Sequence, residues 1–134
     1  MMVRLAYLRQ VMPFERFKAW QLAHGLTLAV YEVSEDWPAR ERYGLVAQTR
    51  RAAVSIAANI AEGTAKRGAS EFGRYLDIAL GSLFELTYLL RLCLDLKYLS
   101  ADQWSTLEIM RSETSKVLWG LYHKVRRNRS NVTT

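Results

Sequence analysis

The chain has 134 residues, half of them hydrophobic, with a net charge of +6 and a single cysteine. That size suits one domain with a core of its own, and the lone Cys93 excludes an intrachain disulfide and agrees with a reducing compartment. No stretch reaches the roughly 18 consecutive apolar residues of a membrane span, so no membrane partner is expected and the cytoplasm is the default location.

Two prolines and seven glycines punctuate the chain, which favours long helices over many short strands. Residues 1–13 read as an extension. Arg4 and Arg9 interrupt its apolar residues and no small-residue cleavage site follows, so it does not read as a signal peptide. It is either a flexible arm or the product of a start assigned upstream of Met12.

The first helix is predicted from about Phe14 to Glu35. Leu22, Ala23, Leu26, Ala29, Val30 and Val33 form one apolar face. Phe17, Trp20, Leu28 and Tyr31 form a second, and a small bundle needs only one. The surplus points to contact with another subunit. Pro38 ends this helix. Glu41 lies near the start of the second helix, where its charge suits the helix dipole.

The second helix is predicted from about Arg40 to Lys66, with Gly63 as its stop signal. Lys66, Arg67 and Gly68 form a basic turn. Ser70 is the expected N-cap of the third helix, with Glu71 in the first turn. That helix runs to about Leu96, and Leu76, Leu80, Leu83, Leu86, Leu90 and Leu94 supply its core face. The fourth helix opens with Ser100, and Gln103 three residues on completes a capping box. Trp104, Leu107, Thr114, Leu118, Leu121 and Val125 line its inner stripe. Residues 127–134 read as a basic, polar, disordered tail. Four helices with short connections over residues 14–126 predict an all-α, antiparallel, up-down-up-down four-helix bundle.

At about 100° per residue, Gln48, Arg51, Ser55, Asn59 and Glu62 share one narrow stripe of the second helix. Nearly everything else from Leu45 to Ala61 is apolar or small, so the stripe is expected to face protein. Arg74, Asp77, Gly81 and Glu85 share a side of the third helix, with Ser82 at its edge. The expectation is a buried polar seam of Gln48, Arg51, Ser55, Asn59, Glu62, Arg74, Ser82 and Glu85, matched across the two helices.

Chemistry is sparse. There is no His-Glu-x-x-His, no Gly-rich phosphate loop and no Glu-x-x-His pair. His24 and His123 lie apart, without nearby acidic ligands in sequence. Cys93 sits in a leucine-rich run and reads as a small core hydrophobe. Glu62 and Glu85 could form an acid–base pair, but pairing with arginines that fix helix register is the favoured role. No catalytic residue, metal or cofactor is expected. The basic residues fall in two groups: Arg40, Arg42, Lys66 and Arg67 around the ends of the second helix, and Lys124, Arg126, Arg127 and Arg129 at the C-terminus. Residues 36–74 carry seven Lys/Arg against four Asp/Glu, and residues 100–134 six against three. Such clusters attract phosphates in a salt-sensitive way. Few aromatics adjoin them, so base stacking and sequence readout are not expected.

The run from Gln48 through Glu62-Gly63 resembles the four-helix-bundle proteins encoded in intervening sequences of bacterial large-subunit ribosomal RNA genes. The resemblance continues through Phe17-Lys18-Ala19-Trp20, Tyr43-Gly44-Leu45, Glu71-Phe72, Tyr75-Leu76, Ile78-Ala79 and Gly81-Ser82-Leu83-x-Glu85, and covers about residues 14–125. It implies a cytosolic antiparallel bundle assembled as a ring-like homopentamer, with no established enzymatic activity. It also implies a distant link to the accessory protein of diversity-generating retroelements, a basic pentamer that binds nucleic acid and a reverse transcriptase. Residues 1–13 and the tail lie outside the pattern. The expected function is therefore a non-enzymatic oligomeric bundle that binds RNA or DNA backbone, or serves as a scaffold for another protein. The alternative is a structural, protein-binding adaptor indifferent to nucleic acid.

Overall fold

The computed structural model describes residues 12–133, with side chains placed up to residue 128. Expectations for residues 1–11, and for the Arg129 side chain, lie outside these. Four long helices pack side by side: α1 Lys18–Ser34, α2 Ala47–Thr64, α3 Ala69–Asp95 and α4 Ala101–Thr133. Among the described residues there is no strand.

Each helix buries one stripe. Leu26 and Val30 of α1, Ala53, Ile56 and Ile60 of α2, Leu76, Leu86 and Leu90 of α3, and Leu107 and Leu118 of α4 are all at most 1 % exposed. Burying each large aliphatic side chain contributes about 1.5–3 kcal/mol, so this core dominates the stability. Some polar groups inside it are satisfied locally, while the Thr49 hydroxyl and the Trp37 indole N–H are buried without a hydrogen-bond partner among the described residues. The Thr27 hydroxyl lies 2.8 Å from the Ala23 carbonyl of its own helix and 3.2 Å from that of Ala53 on α2.

Neighbouring helices run in opposite directions. Between α1 and α2, Thr27 meets Ala53 and Ser34 meets Arg50. Between α2 and α3, Arg51 meets Glu85, Ser55 meets Ser82, and Gly63 sits against Phe72. Gly25 of α1 lies near Met110 of α4, and Gly73 of α3 near Val125 of α4. One end of the bundle gathers the close of α1, the start of α2 and the turn after α3. There Trp37 packs on Tyr98 at 6.1 Å between ring centroids, and the Tyr98 hydroxyl donates to Glu41 at 2.9 Å. The opposite end gathers the start of α1, the close of α2, the start of α3 and the second half of α4, with Phe17 edge-on to Phe72.

Several boundaries differ from the periodicity. Helix α1 starts four residues later than Phe14, after a 3₁₀ turn Pro13–Arg16 and an extended Phe17 (φ −79°, ψ 126°). Helix α2 starts at Ala47, not Arg40. A 3₁₀ turn Ala39–Glu41 and a π turn Arg42–Val46 come first, and Gly44 breaks regular geometry with ψ −109°. Glu41 still caps this turn, since its carboxylate accepts from the Leu45 amide at 3.4 Å. The N-cap of α3 is Gly68, not Ser70. Its φ of +84° suits glycine, and the chain turns there before any side-chain cap is made. The Ser100–Gln103 capping box forms as expected, with reciprocal bonds of 3.0 and 3.1 Å. The backbone of residues 127–133 is helical rather than disordered. No proline or glycine follows Gly120, and arginine is a good helix former, so nothing local stops the helix past its last core residue, Val125.

Candidate functional site

The polar stripe lies on the outside of the α2/α3 pair, not within the bundle. Gln48, Arg51, Glu62, Arg74 and Glu85 are exposed, and Ser55, Asn59 and Ser82 are half-buried. Four helices enclose a single core, and α2 already fills its inward side with Ala53, Ile56 and Ile60. The stripe must therefore face away from it. Part of the expected matching does occur. Arg51 Nη2 donates to Glu85 at 3.2 Å, the Ser55 and Ser82 hydroxyls are 2.7 Å apart, and the Asn59 amide donates to Ser55 at 2.8 Å (carbonyl) and 3.1 Å (hydroxyl). Arg74 instead pairs with Glu71 of its own helix at 3.4 Å, which raises its pKa. The Glu62 carboxylate has no hydrogen bond or ion pair among the described residues, so its expected pairing with an arginine does not form. An exposed ion pair such as Arg51–Glu85 contributes at most about 1 kcal/mol in a single chain.

Apolar side chains are also exposed on these two helices. Val54 on α2 faces the cleft towards α1, and Ile78, Phe84 and Tyr88 lie on the outer side of α3; they are 42 %, 42 %, 66 % and 64 % exposed. The leucine spacing drew attention to the inner face of α3 and away from these residues. Their signal was available in the spacing of Ile78, Glu85 and Tyr88, which share a side set apart from Leu83, Leu86 and Leu90. The second apolar face of α1 is only partly absorbed within the chain. Phe17 packs on Phe72 and Trp20 on Phe14, while Leu28 and Tyr31 remain exposed.

The basic residues separate differently from their order in sequence. Arg40 and Arg42 lie at the end where α2 begins, and Lys66 and Arg67 at the end where it stops. Eighteen helical residues stand between them, roughly 27 Å at 1.5 Å per residue. The four therefore do not form one patch. Lys66 instead joins the C-terminal group: it lines a cleft of about 340 Å³ together with Lys124, Phe17, Phe72 and the start of α3 at Gly68. Arg126 lines the adjoining cleft with Tyr122, Arg74 and Ser70. Lys66, Arg67, Lys124 and Arg127 have no carboxylate within ion-pair distance among the described residues. The Lys66 ammonium lies 5.3 Å from the Tyr75 ring centre.

Among the described residues no three His, Cys, Asp or Glu side chains gather as a metal site. His24 stacks on Trp20 at 4.7 Å and His123 on Trp119 at 5.6 Å, each on a single helix. Cys93 is fully buried, and burial pushes its thiol pKa up to about 11. It packs as a core residue. Because the folded pKa lies above the unfolded one, the folded state holds the proton more tightly. This contribution is complete below pH 9 and lost as pH rises towards 11, on the order of 2–3 kcal/mol across that range. We expect iodoacetamide at pH 8 to leave Cys93 unmodified in the native protein and to alkylate it in denaturant. Rapid native labelling would contradict the burial.

These features define an all-α four-helix bundle with a polar outer groove, basic residues at both ends, and no helix among the described residues long and apolar enough to cross a membrane. The model of the 23S rRNA-intervening sequence protein family matches residues 15–120, most of the chain, and the protein belongs to that family. The fold is also similar to the crystal structure of a protein of unknown function from the S23 ribosomal protein family of Bacteroides thetaiotaomicron. The TM-score is 0.69 at 21 % identity, covering 78 % of this chain and 97 % of that one. The sequence matches no curated protein.

Proposed function

We propose that this chain is a non-catalytic cytoplasmic protein that assembles with copies of itself through the α2/α3 face and holds the RNA or DNA backbone at its basic end. The observation that carries the nucleic-acid reading is the shared cleft of Lys66 and Lys124, which brings two groups distant in sequence to one end. Arg67, Arg126 and Arg127 add charge beside it. In a closed ring, pentameric as the resemblance implies, this end would repeat around the axis and its potential would rise. Such binding is to phosphates and independent of sequence.

Fluorescence anisotropy with labelled RNA and DNA of unrelated sequences tests the reading. Binding is expected at roughly 50 mM salt, with steep loss towards roughly 200 mM. Reversing both charges with Lys66→Glu and Lys124→Glu should weaken it at least about tenfold, and Ser112→Ala, an exposed change on α4 away from both surfaces, should not change it. Absence of binding at low salt would overturn the proposal. A second reading, a protein-binding adaptor, is favoured by the exposed Phe84 and Tyr88. It predicts a co-purifying protein on the α2/α3 face and no response to nucleic acid.

A further inference from the structure

A cleft of about 640 Å³ lies at the opposite end from Lys66 and Lys124, where α1 passes into α2. Its walls include Tyr31, Trp37, Arg42, Val46, Arg50 and Arg51. Three guanidinium groups therefore border one concavity, and Glu35 is the only carboxylate among its lining residues. Arg50 is held in place from several sides. Its Nε donates to the Ser34 hydroxyl at 2.8 Å, its Nη2 to the Tyr31 carbonyl at 3.2 Å and to Glu35 at 3.1 Å, and its guanidinium lies 4.5 Å from the Tyr31 ring centre. Arg42 is exposed and has no carboxylate partner among the described residues. Trp37 adds a buried indole N–H that has no hydrogen-bond acceptor.

Each element suits one part of a ligand. A fixed arginine beside an uncommitted one is the arrangement that grips a phosphate by charge-assisted bonds. Tyr31, Val46, Val54 and Pro38 give the same cleft an apolar wall, and its volume falls in the range of small-ligand sites. We infer that this cleft binds a phosphomonoester of nucleotide size, its phosphate between Arg42 and Arg50 and its flat portion along the apolar wall. This site does not depend on the basic end: it uses none of the residues there, and it needs no polymer. The phosphate could belong to a free mononucleotide or to the 5′ end of an oligonucleotide, because the recognising groups see the same chemistry.

Isothermal titration of the full chain with AMP, inorganic phosphate and adenosine provides the test. AMP is expected to bind more tightly than phosphate, and adenosine not to bind measurably. Arg42→Ala touches no internal bond, so the fold should stand, checked by its melting curve. It should weaken AMP at least about tenfold, the usual cost of one charge-assisted contact. Glu35→Gln should act in the opposite direction and tighten AMP, because it removes the competing carboxylate. The Lys66→Glu, Lys124→Glu variant should bind AMP as the parent does even where its polymer binding is lost. Competition by a 5′-phosphorylated oligonucleotide, and not by its 5′-hydroxyl twin, would assign the site to nucleic-acid ends. Failure of both to compete would assign it to free nucleotides. No heat with AMP at millimolar concentration, or equal affinity in Arg42→Ala, would overturn the inference.

Discussion

Replacing Gly63 with valine is expected to lower stability by about 3 kcal/mol or more, a fall of roughly 10 °C in the thermal midpoint for a domain of this size. A Cβ at this position would stand 2.8 Å from Cδ1 of Phe72 and 3.1 Å from Cβ of Tyr75. The first contact could be relieved by a swing of the phenyl ring. The second could not, because the Tyr75 Cβ is fixed to the α3 backbone. Helices α2 and α3 approach closely here, so a branched side chain must push them apart and loosen Ile60 and Leu76, both fully buried. Gly63→Ala makes a useful comparison. Alanine gains about 1 kcal/mol of helix propensity over glycine, which offsets part of the clash, so its loss should be smaller. Thermal melts by circular dichroism read both. Adding Phe72→Ala to Gly63→Val should recover part of the loss, as residues in contact do not act additively. A Gly63→Val protein as stable as the parent would show that this close approach is unimportant.

How much of this was legible in the sequence depended on what each residue's signal measures. Spacing measures which residues share a face, and on that question it succeeded: Leu26, Val30, Leu76, Leu86, Leu107 and Leu118 are core residues on the helices expected. Spacing does not measure where a helix begins. Glycines at 44 and 68 set two of those starts through backbone geometry, and Ser70 was a plausible cap that the chain did not need. Gly63 carried a different meaning from the one its position suggested. It lies inside α2, buried, and serves the packing of Phe72 and Tyr75 rather than the end of the helix.

The outer groove marks a different limit. A helix rich in alanine reads as surrounded by protein, and that reading cannot distinguish neighbours in the same chain from neighbours in another. Within one chain the stripe from Gln48 to Glu62 faces outward, and only Arg51, Ser55 and Asn59 find polar partners on or across from α2. The basic residues show the same limit from another side. Arg42 and Lys66 flank the same helix, but that helix is long enough to hold them at opposite ends. Lys124, far away in sequence, is the residue that folding places beside Lys66.

Two substitutions on neighbouring positions of α3 should separate the inner face from the outer one. Leu86 is fully buried and Phe84 is 66 % exposed. Leu86→Ala should cost about 2–5 kcal/mol, through lost transfer energy and the cavity left behind. Phe84→Ala should change the stability of a lone chain by no more than about 0.5 kcal/mol. The informative measurement is the thermal midpoint at several protein concentrations. Association that favours the folded chain raises the midpoint with concentration by mass action. The parent should therefore show a rising midpoint, and sedimentation should show a mass above that of one chain. Leu86→Ala should melt lower but keep the concentration dependence, because its lesion lies inside each subunit. Phe84→Ala should melt near the dilute parent at every concentration, because its lesion lies on the outer face proposed for assembly. The same slope in Phe84→Ala and the parent would remove the α2/α3 face from the assembly. A midpoint independent of concentration in all three, with the mass of a single chain, would leave Phe84 and Tyr88 for a different protein partner.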